Sequence, residues 1–439
     1  MRRRIFISAI VLAASISVIS ALVIFAAEQI KKESVYPQLE LFSDALTIVH
    51  SAYVDQVSVR DLIYGALKGM LSSLDPHSQF LDPEAYKELK VETEGQFGGL
   101  GIEITIKDNL LTIITPIEDT PAWKAGVKTG DRIVKIDGEL TRDITLPDAV
   151  KKLRGKPGTE VNLTILRESE SRILEIKIVR DIIKINDVKK AQILEDNIGY
   201  IRLIEFREDT AKEFEAALKR LKESKMDALI LDVRYNPGGL LDVAIDITSS
   251  FLPKDSLVVW TKSREEGSKV EFKSKGKDHL LDLPMIVLIN EGSASGSEIL
   301  AGALQDHHRA IIMGTKSFGK GSVQTVIPMG DGSALRLTTS KYFTPSGRSI
   351  HNIGIEPDII VEPRFISEDE SEEKEDIFKK LEENENSKKE KEKPKSEEKM
   401  KQENPMEKED FYRRDAQLLR ALDLLKAIKV YNKNLEKAK

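Results

Sequence analysis

Lys320 lies in a stretch that nearly matches a phosphate-binding loop. The residues "GTKSFGKGS" approach the pattern G-x-x-x-x-G-K-[ST], but Gly321 stands where the magnesium-binding hydroxyl residue belongs. A phosphate loop also needs a helix after the lysine, whereas the following "GSVQTVIPM" is β-branched and predicts a strand. The pattern therefore disfavours a nucleotide site, and Lys320 is either a catalytic lysine or a solvated one.

Ser295 lies in a second stretch that could do chemistry, "MIVLINEGSASGSEILAGAL". The pattern predicts a buried strand that ends at Asn290, a glycine turn, and a helix that begins near Ser297. A serine in such a turn faces helix N–H groups that can stabilise an oxyanion. It can equally be a helix cap, because Ser295 and Glu298 fit a capping box, and the spacing alone leaves both interpretations open.

A serine nucleophile needs a base, and the chain offers six histidines and many lysines. His307 and His308 fall at the predicted C-terminal end of the helix that Ser295 begins, so we interpret them as surface residues. A lysine can serve when burial lowers its pKa, and the amide of Gln324 could orient Lys320. With no cysteine in the chain, thiol nucleophiles, thiolate metal sites and disulfides are excluded.

The elements that position these residues follow from changes in periodicity along the chain. Apolar residues at helical spacing from 36 to 74, with a break at 55–58, predict a pair of helices. Short β-branched runs predict a mostly-β domain over 91–180 with one helix at 146–153. From 198 to 361 apolar strands alternate with helical patterns, which predicts a layered α/β domain around the candidate site.

The C-terminal region changes composition abruptly after Pro363. A highly charged run with almost nothing apolar to bury predicts a solvated linker. It is followed by "DAQLLRALDLLKAIKVY", whose leucines and alanines recur at helical spacing. This amphipathic helix must pack against another apolar surface.

The N-terminus predicts export. "MRRR" precedes an apolar run from Ile5 to Ala27, long enough to cross a hydrocarbon core of about 30 Å as a helix. We favour an uncleaved anchor over a cleaved signal peptide because the run exceeds a typical signal core. The chain has 67 basic and 73 acidic residues and no basic stripe interleaved with aromatics, so nucleic acid is not an expected partner.

Three motifs resemble one known family. "SASGSEILAGALQD", "GTKSFGKGSVQT" and "DVRYNPGGLL" together are similar to the carboxyl-terminal processing peptidases, or tail-specific proteases, which use a serine/lysine dyad. "GMLSSLDPHSQFL" resembles the helical lead-in of that family, and "GGLGIEI" with "TPAWKAGVKTGDRIVKIDG" resembles its PDZ domain. The resemblance covers nearly the whole chain.

The resemblance implies an α/β multidomain fold with an N-terminal helical module, a mostly-β PDZ domain, an α/β protease core of the ClpP/crotonase-like type and a C-terminal helix. The expected segments, in order, are a signal or anchor at 1–30, the helical module at 35–90, the PDZ domain at 91–180, the protease core at 181–363, a charged disordered linker at 364–408 and the helix at 409–437.

The family's functional residues transfer onto five positions. Ser295 would be the nucleophile, Lys320 the general base and Gln324 the amide that orients the lysine. The oxyanion hole would be the backbone N–H groups of Gly239 and Gly296. Gly296 is a departure, because the family usually has alanine there and a glycine turn is looser. The resemblance implies neither a metal nor another cofactor.

The PDZ resemblance predicts a carboxylate-binding loop. The N–H groups of Leu100, Gly101 and Ile102 would surround the terminal carboxylate of a substrate that adds as a strand beside the one starting at Ile102. The alternative is a β-turn without a binding role, in which glycine is needed only because the backbone φ angle is positive.

The sequence therefore predicts an exported serine endopeptidase of the cell envelope, anchored in the membrane or secreted, with its catalytic part outside the cytoplasm, as in a periplasm. Its partners would be protein or peptide substrates with free C-termini and the membrane. The helical module and the terminal helix leave a homo-oligomer open. The alternative function is a catalytically inactive PDZ adaptor.

Overall fold

The computed structural model describes residues 35–265, 267–276, 282–364 and 411–438. The predicted anchor at 1–30 and, apart from its first residue, the predicted linker at 364–408 lie outside the described residues. Within the described ranges no helix is both long enough and apolar enough to cross a membrane. The chain divides into two compact units, residues 1–82 and 83–439.

The first unit contains the predicted pair of helices. Helix α1 spans Val35–Ala52, α2 spans Val59–Ser72, and a short strand, β1, spans Gln79–Leu81. The segment between the helices confirms the break predicted at 55–58. Helix α1 buries none of its residues, and most of its large apolar side chains, such as Leu41 and Ile48, are exposed.

The second unit begins with the elements of the predicted mostly-β domain. Helix α3 begins at Pro83, because proline costs no hydrogen bond in a first helical turn, and it extends four residues past the predicted start of the domain at 91. One antiparallel sheet has the order β3-β4-β5-β7-β8, and β2 pairs with β9. Helix α5 occupies the predicted residues 146–153. The elements are α3 (Pro83–Glu94), β2 (Gln96–Gly99), β3 (Ile102–Lys107), β4 (Leu110–Pro116), α4 (Pro121–Lys124), β5 (Arg132–Ile136), β6 (Glu139–Leu140), α5 (Leu146–Leu153), β7 (Glu160–Arg167), β8 (Arg172–Val179) and β9 (Asp181–Lys184).

The rest of this unit confirms the predicted layered α/β domain. A six-stranded sheet has the order β10-β11-β12-β15-β16-β19 and is parallel except for the β10–β11 pair. A second, antiparallel sheet contains β17, β18, β13 and β14. The elements are β10 (Val188–Ile193), β11 (Ile198–Leu203), α6 (Thr210–Glu223), β12 (Ala228–Asp232), α7 (Leu241–Thr248), β13 (Leu257–Ser263), β14 (Val270–Lys273), β15 (Met285–Ile289), α8 (Gly296–Asp306), β16 (Ile311–Gly314), β17 (Ser322–Pro328), β18 (Ala334–Phe343), β19 (Ile359–Ile360) and α9 (Ala416–Ala438).

The central strands β12 and β15 are buried at every position, which explains their uninterrupted apolar sequences. Alternate side chains of these strands point to opposite faces of the sheet. One face packs against α6, α7 and α8. The other packs against α9, which confirms that the terminal helix docks through its apolar face. The loops that follow β12 and β15 therefore meet at one edge of the sheet, where ligands of open α/β sheets bind.

Candidate active site

Ser295 is half-buried at the N-terminus of α8 and has an unusual backbone. Its φ of 51° and ψ of −110° lie where non-glycine residues are rare, which costs on the order of 1–3 kcal/mol. The turn is fixed to the loop after β12: the Ala294 N–H and the Ser297 hydroxyl both donate to the Asn236 carbonyl, each at 3.0 Å. These bonds sustain the strained conformation at the serine.

The fully buried carboxylate of Glu298 joins the Ser295 turn to the Lys320 loop. It accepts the backbone N–H groups of Ser295 and Lys320, each at 2.8 Å. It also accepts the Gly319 N–H at 2.7 Å and the Ser317 hydroxyl at 2.6 Å. Burial raises the pKa of the Glu298 carboxyl, and the hydrogen bonds counteract part of that rise. The sequence pointed to Glu298 only as a helix cap, and its contact with Lys320 was missed.

Lys320 directly precedes the second sheet. The residues after it form β17, which confirms the predicted strand and leaves no helix N-terminus there for a phosphate. Burial lowers the pKa of the Lys320 ammonium, the nearby Arg336 guanidinium lowers it further, and Glu298 opposes the change by raising it. The net lowering of the pKa makes the ammonium easier to deprotonate, and the neutral amine is the form that can accept a proton.

Gln324 lies in β17 with one end of its amide engaged. Its nitrogen donates to the Thr338 hydroxyl at 2.8 Å and the Ser322 hydroxyl at 3.2 Å. Its oxygen is buried, and no donor in the described part of the chain reaches it. A buried amide oxygen of this kind suits an ammonium group, although no bond between the side chains of Gln324 and Lys320 is formed here.

The loop after β12 brings two glycines against the serine turn. Phe206 forms an isolated parallel bridge with Gly239, its N–H donating to Gly238 at 2.9 Å and its carbonyl accepting from Leu240 at 2.7 Å. In a parallel bridge of this form, the N–H of Gly239 faces away from Phe206. A Cβ placed on Gly238 would lie 2.6 Å from the Cβ of Ser295, so only glycine permits this approach.

The backbone N–H groups of Gly239 and Gly296 have no acceptor among the residues that the structure describes. Gly296 opens α8, where the first N–H groups of a helix lack internal partners. A Cβ on Gly296 would lie 3.2 Å from the Phe206 ring and 3.3 Å from the Ala244 methyl group. An alanine here would be tightly packed, which is one physical reason for glycine at this position.

The predicted carboxylate loop lies between β2 and β3. Gly101 has a φ of 76°, and its carbonyl accepts the Ile117 N–H at 2.8 Å. Within the described residues, no acceptor takes the N–H of Leu100 or Gly101. Strand β3, which starts at Ile102, is at the edge of its sheet, so a further strand can pair with it.

A groove of about 90 Å³ runs between β3 and α5 beside this loop. Phe97, Ile104, Val150 and Leu153 contribute apolar surface to it, and Arg154 lies at its edge. An apolar groove next to unpaired N–H groups and an open strand edge is the arrangement that accepts the end of a peptide chain.

The chain matches three family profiles and many characterised proteins. Residues 197–361 match peptidase family S41, residues 112–167 a PDZ domain, and residues 14–85 the N-terminal domain of the activating protease CtpB. A carboxy-terminal-processing protease of Bartonella bacilliformis is 49% identical over 361 residues, which are 81% of this chain and 82% of that protein. The chain belongs to the carboxy-terminal-processing proteases of family S41.

One more relative and one solved structure are also similar to this chain. The carboxy-terminal processing protease CtpB of Bacillus subtilis is 37% identical over 75% of this chain and 69% of its own length. Among solved structures, the photosystem II D1 C-terminal processing protease is similar, with 30% identity, 75% of this chain and 94% of that chain covered, and a TM-score of 0.45. The family profiles and the two relatives show that this chain is a carboxyl-terminal-processing serine protease with a PDZ domain, which disfavours the inactive adaptor.

In this protease the two histidines that follow α8 lie where the sequence predicted them. Helix α8 ends at Asp306 after 11 residues, or about 16 Å, which separates His307 and His308 from Ser295. Both are exposed, and a ring nitrogen of His307 lies 2.7 Å from the Leu257 carbonyl oxygen. Their placement confirms that they are surface residues.

Proposed function

We propose that this protease is an exported endopeptidase in which Ser295 is the nucleophile and Lys320 the general base. The observation that carries the proposal is the Glu298 carboxylate, which binds the backbone of both residues at 2.8 Å. If Ser295 were only a helix cap, the Glu298 carboxylate would not need to bind the Lys320 loop as well. The lowered pKa of Lys320 supports its role as a base.

The reaction follows from these placements. The Ser295 hydroxyl attacks the scissile carbonyl and Lys320 takes its proton, while the N–H groups of Gly239 and Gly296 donate to the developing oxyanion. The lysine then returns the proton to the leaving amine, and water hydrolyses the acyl-enzyme by the same steps. The unpaired amide oxygen of Gln324 would hold the amine towards the serine.

The substrate proposed for the PDZ domain is a protein with a free C-terminus. Its carboxylate would accept the N–H groups of Leu100, Gly101 and Ile102, and its last residues would pair with the edge of β3. The N–H groups of Leu100 and Gly101, which have no acceptor among the described residues, and the adjoining apolar groove support this assignment.

Export is proposed from the sequence of the N-terminus alone, since those residues lie outside the described ranges. The apolar run after "MRRR" is long enough to anchor the chain with the following domains outside the cytoplasm. Cell fractionation should place the full-length chain in the membrane fraction. A protease added to intact spheroplasts should degrade the chain without any need to lyse them. Protection until lysis would contradict this location.

The nucleophile is tested by incubating the full-length chain with a loosely folded protein and following fragment formation. Wild type and the Ser224→Ala control, which changes an exposed serine at the end of α6, should cleave alike. Ser295→Ala should produce no fragments. Equal cleavage by Ser295→Ala would refute the assignment, and no cleavage by wild type would return the adaptor as the better function.

A further inference from the structure

The first turn of α9 reaches the start of the loop that carries Gly239. Arg234 is 6% exposed and follows the end of β12 by two residues. Its Nη1 donates to Asp415 Oδ1 at 3.0 Å and to Gln417 Oε1 at 2.8 Å. Its Nη2 lies 2.7 Å from Asp415 Oδ2. The helix therefore supplies two acceptors to a buried guanidinium 181 residues earlier in the chain.

The opposite edge of the guanidinium is bound to Asp232, the last residue of β12. Arg234 Nε donates to Asp232 Oδ1 at 2.9 Å and Nη2 donates to Oδ2 at 2.7 Å. Because a guanidinium is a rigid planar fork, acceptors on both of its edges hold Arg234 in one orientation. The end of strand β12 and the start of helix α9 thus both bind the Arg234 side chain.

The acceptors on α9 are themselves fixed. Asp415 Oδ1 caps the helix by accepting the N–H groups of Gln417 and Leu418, each at 3.1 Å. The Gln417 amide nitrogen donates to the Val361 carbonyl at 2.7 Å, and Gln417 is 2% exposed. Neither acceptor can turn away without breaking these bonds.

A short and tightly bonded segment connects Arg234 to the proposed oxyanion hole. The next residue, Tyr235, has a φ of 57°, and its N–H donates to Asn290 Oδ1 at 2.8 Å. The Asn236 side chain then accepts the Gly238 N–H at 2.9 Å. Because a hydrogen-bond donor must lie about 2.7–3.1 Å from an oxyanion, a small shift at Arg234 is enough to misplace the N–H of Gly239.

We propose that Asp415 and Gln417 are positioning residues of the oxyanion hole and act through Arg234. The inference rests on the proposed role of Gly239. Neither residue touches the substrate, and the terminal helix is then a component of the active site as well as a cover for the sheet.

The first test measures kcat and KM of full-length Asp415→Asn on a short peptide that wild type cleaves. Asparagine also caps helices, so α9 keeps its first turn, but Arg234 loses the negative charge of the carboxylate that it binds. We expect kcat to fall about tenfold and KM to stay within twofold, because an oxyanion forms only in the transition state. Asp423→Asn, the same change at an exposed position of α9, should leave both constants unchanged.

A second readout separates the oxyanion from general damage. A peptide aldehyde adds the serine hydroxyl across its C=O bond, so the former carbonyl oxygen occupies the oxyanion position, whereas the matching peptide alcohol cannot react. Asp415→Asn should bind the aldehyde about tenfold more weakly and the alcohol as wild type does. Equal losses for both inhibitors, or an unchanged kcat, would overturn the proposal.

Gln417 provides the test if Asp415→Asn does not fold. Gln417→Met fills the same space without an acceptor for Arg234 and should lower kcat about tenfold with KM within twofold, whereas Asp423→Asn should leave kcat unchanged. Equal kcat values for these two variants would overturn the proposal. Ser295→Ala is measured alongside: if it remains active, the proposed function fails, whereas an inactive Ser295→Ala with unchanged Asp415 and Gln417 variants refutes only this inference.

Discussion

At the scale of single residues, one buried carboxylate joins the two loops of the candidate site. Glu298 accepts two N–H groups on Oε2, one from the residue of the proposed nucleophile and one from that of the proposed base. A carboxylate has enough lone pairs for four donors, whereas an amide offers only one oxygen. The geometry of the proposed dyad is therefore expected to be sensitive to the chemical identity of this side chain.

Glu298→Gln should lower both stability and activity. Its NH₂ group would face N–H donors and leave at least one of them unpaired, which costs about 1–3 kcal/mol of unfolding free energy. We expect kcat to fall at least tenfold. Urea denaturation and peptide kinetics measure the two effects, and Glu291→Gln, at an exposed position of the same turn, is the control. Wild-type kcat in Glu298→Gln would show that this carboxylate does not hold the dyad.

Lys320→Arg should be as inactive as Lys320→Ala. Arginine keeps the positive charge but stays protonated at any usable pH, so it cannot accept the serine proton. Peptide turnover by the two variants decides the matter. Turnover near wild type for the arginine variant would indicate a salt-bridge role in place of general-base catalysis.

The pH profile should report the lysine. Because burial and Arg336 lower the pKa of Lys320, kcat/KM should rise with pH to a midpoint below the ordinary lysine value of about 10.4. Arg336→Gln removes a charge that opposes the ammonium, so it should move the midpoint to higher pH. Lys341→Gln, a change on an exposed residue of the same strand, serves as the control. If kcat/KM reached a plateau below pH 7 and the Arg336→Gln change did not move it, another residue would be the base.

At the scale of elements, α9 stabilises the core by covering one face of the parallel sheet. Leu418, Ala421, Leu422 and Leu425 are at most 2% exposed and pack on the same face as Ile230. Their spacing along the helix places them on one side of it. The solvent-facing side carries exposed residues such as Val430, so the helix has distinct buried and open surfaces.

Leu422→Ala should reduce the free energy of unfolding by about 2–5 kcal/mol, because it removes buried methyl groups and leaves a cavity. Val430→Ala, on the open side of α9 with 62% exposure, should change it by less than about 0.5 kcal/mol. Urea denaturation of the full-length variants compares the two. Similar effects at both positions would mean that α9 does not dock as described.

At the scale of the whole second unit, the PDZ groove and the loops of the candidate active site lie in one compact body. The residue after the bridging Phe206, Arg207, donates Nε to the Glu92 carbonyl at 3.0 Å, at the end of α3. Strand β2 begins two residues after α3 and leads into the proposed carboxylate loop. Covalent and hydrogen-bonded links therefore connect the loop at Leu100 to the segment that pairs with Gly239.

We expect a free C-terminus in the PDZ groove to increase cleavage, because a ligand that binds the active arrangement more tightly shifts the protein towards it. A substrate with a free carboxylate should be cleaved faster than its amidated twin. Gly101→Val should abolish the difference, since a Cβ there would lie 2.3 Å from Thr120. Gly126→Val has a similar φ of 77° but open space around it, and should keep the difference. Equal rates for both substrates in wild type would refute the gating.

Much of the element structure could be predicted from the sequence because the signals are local. The strand at 285–289, the helix after Ser295, the strand after Lys320 and the helix at 146–153 all follow from apolar periodicity and turn residues. Motif resemblance added the nucleophile, base, amide and glycine assignments, which remain predictions. No helix start was predicted at Pro83, where α3 begins.

Long-range contacts decided the rest, because no local pattern encodes which loops meet. Only the tertiary structure placed Glu298 against Lys320, 22 residues away, and left the Gln324 oxygen without a donor among the described residues. Only the docking of α9 placed Asp415 on Arg234. The apolar side of α9 packs on one face of the parallel sheet, and this packing brings the Asp415 carboxylate to the Arg234 guanidinium. The sequence determined the elements and the chemical groups, and the packing of those elements decided which groups share a charge or a hydrogen bond.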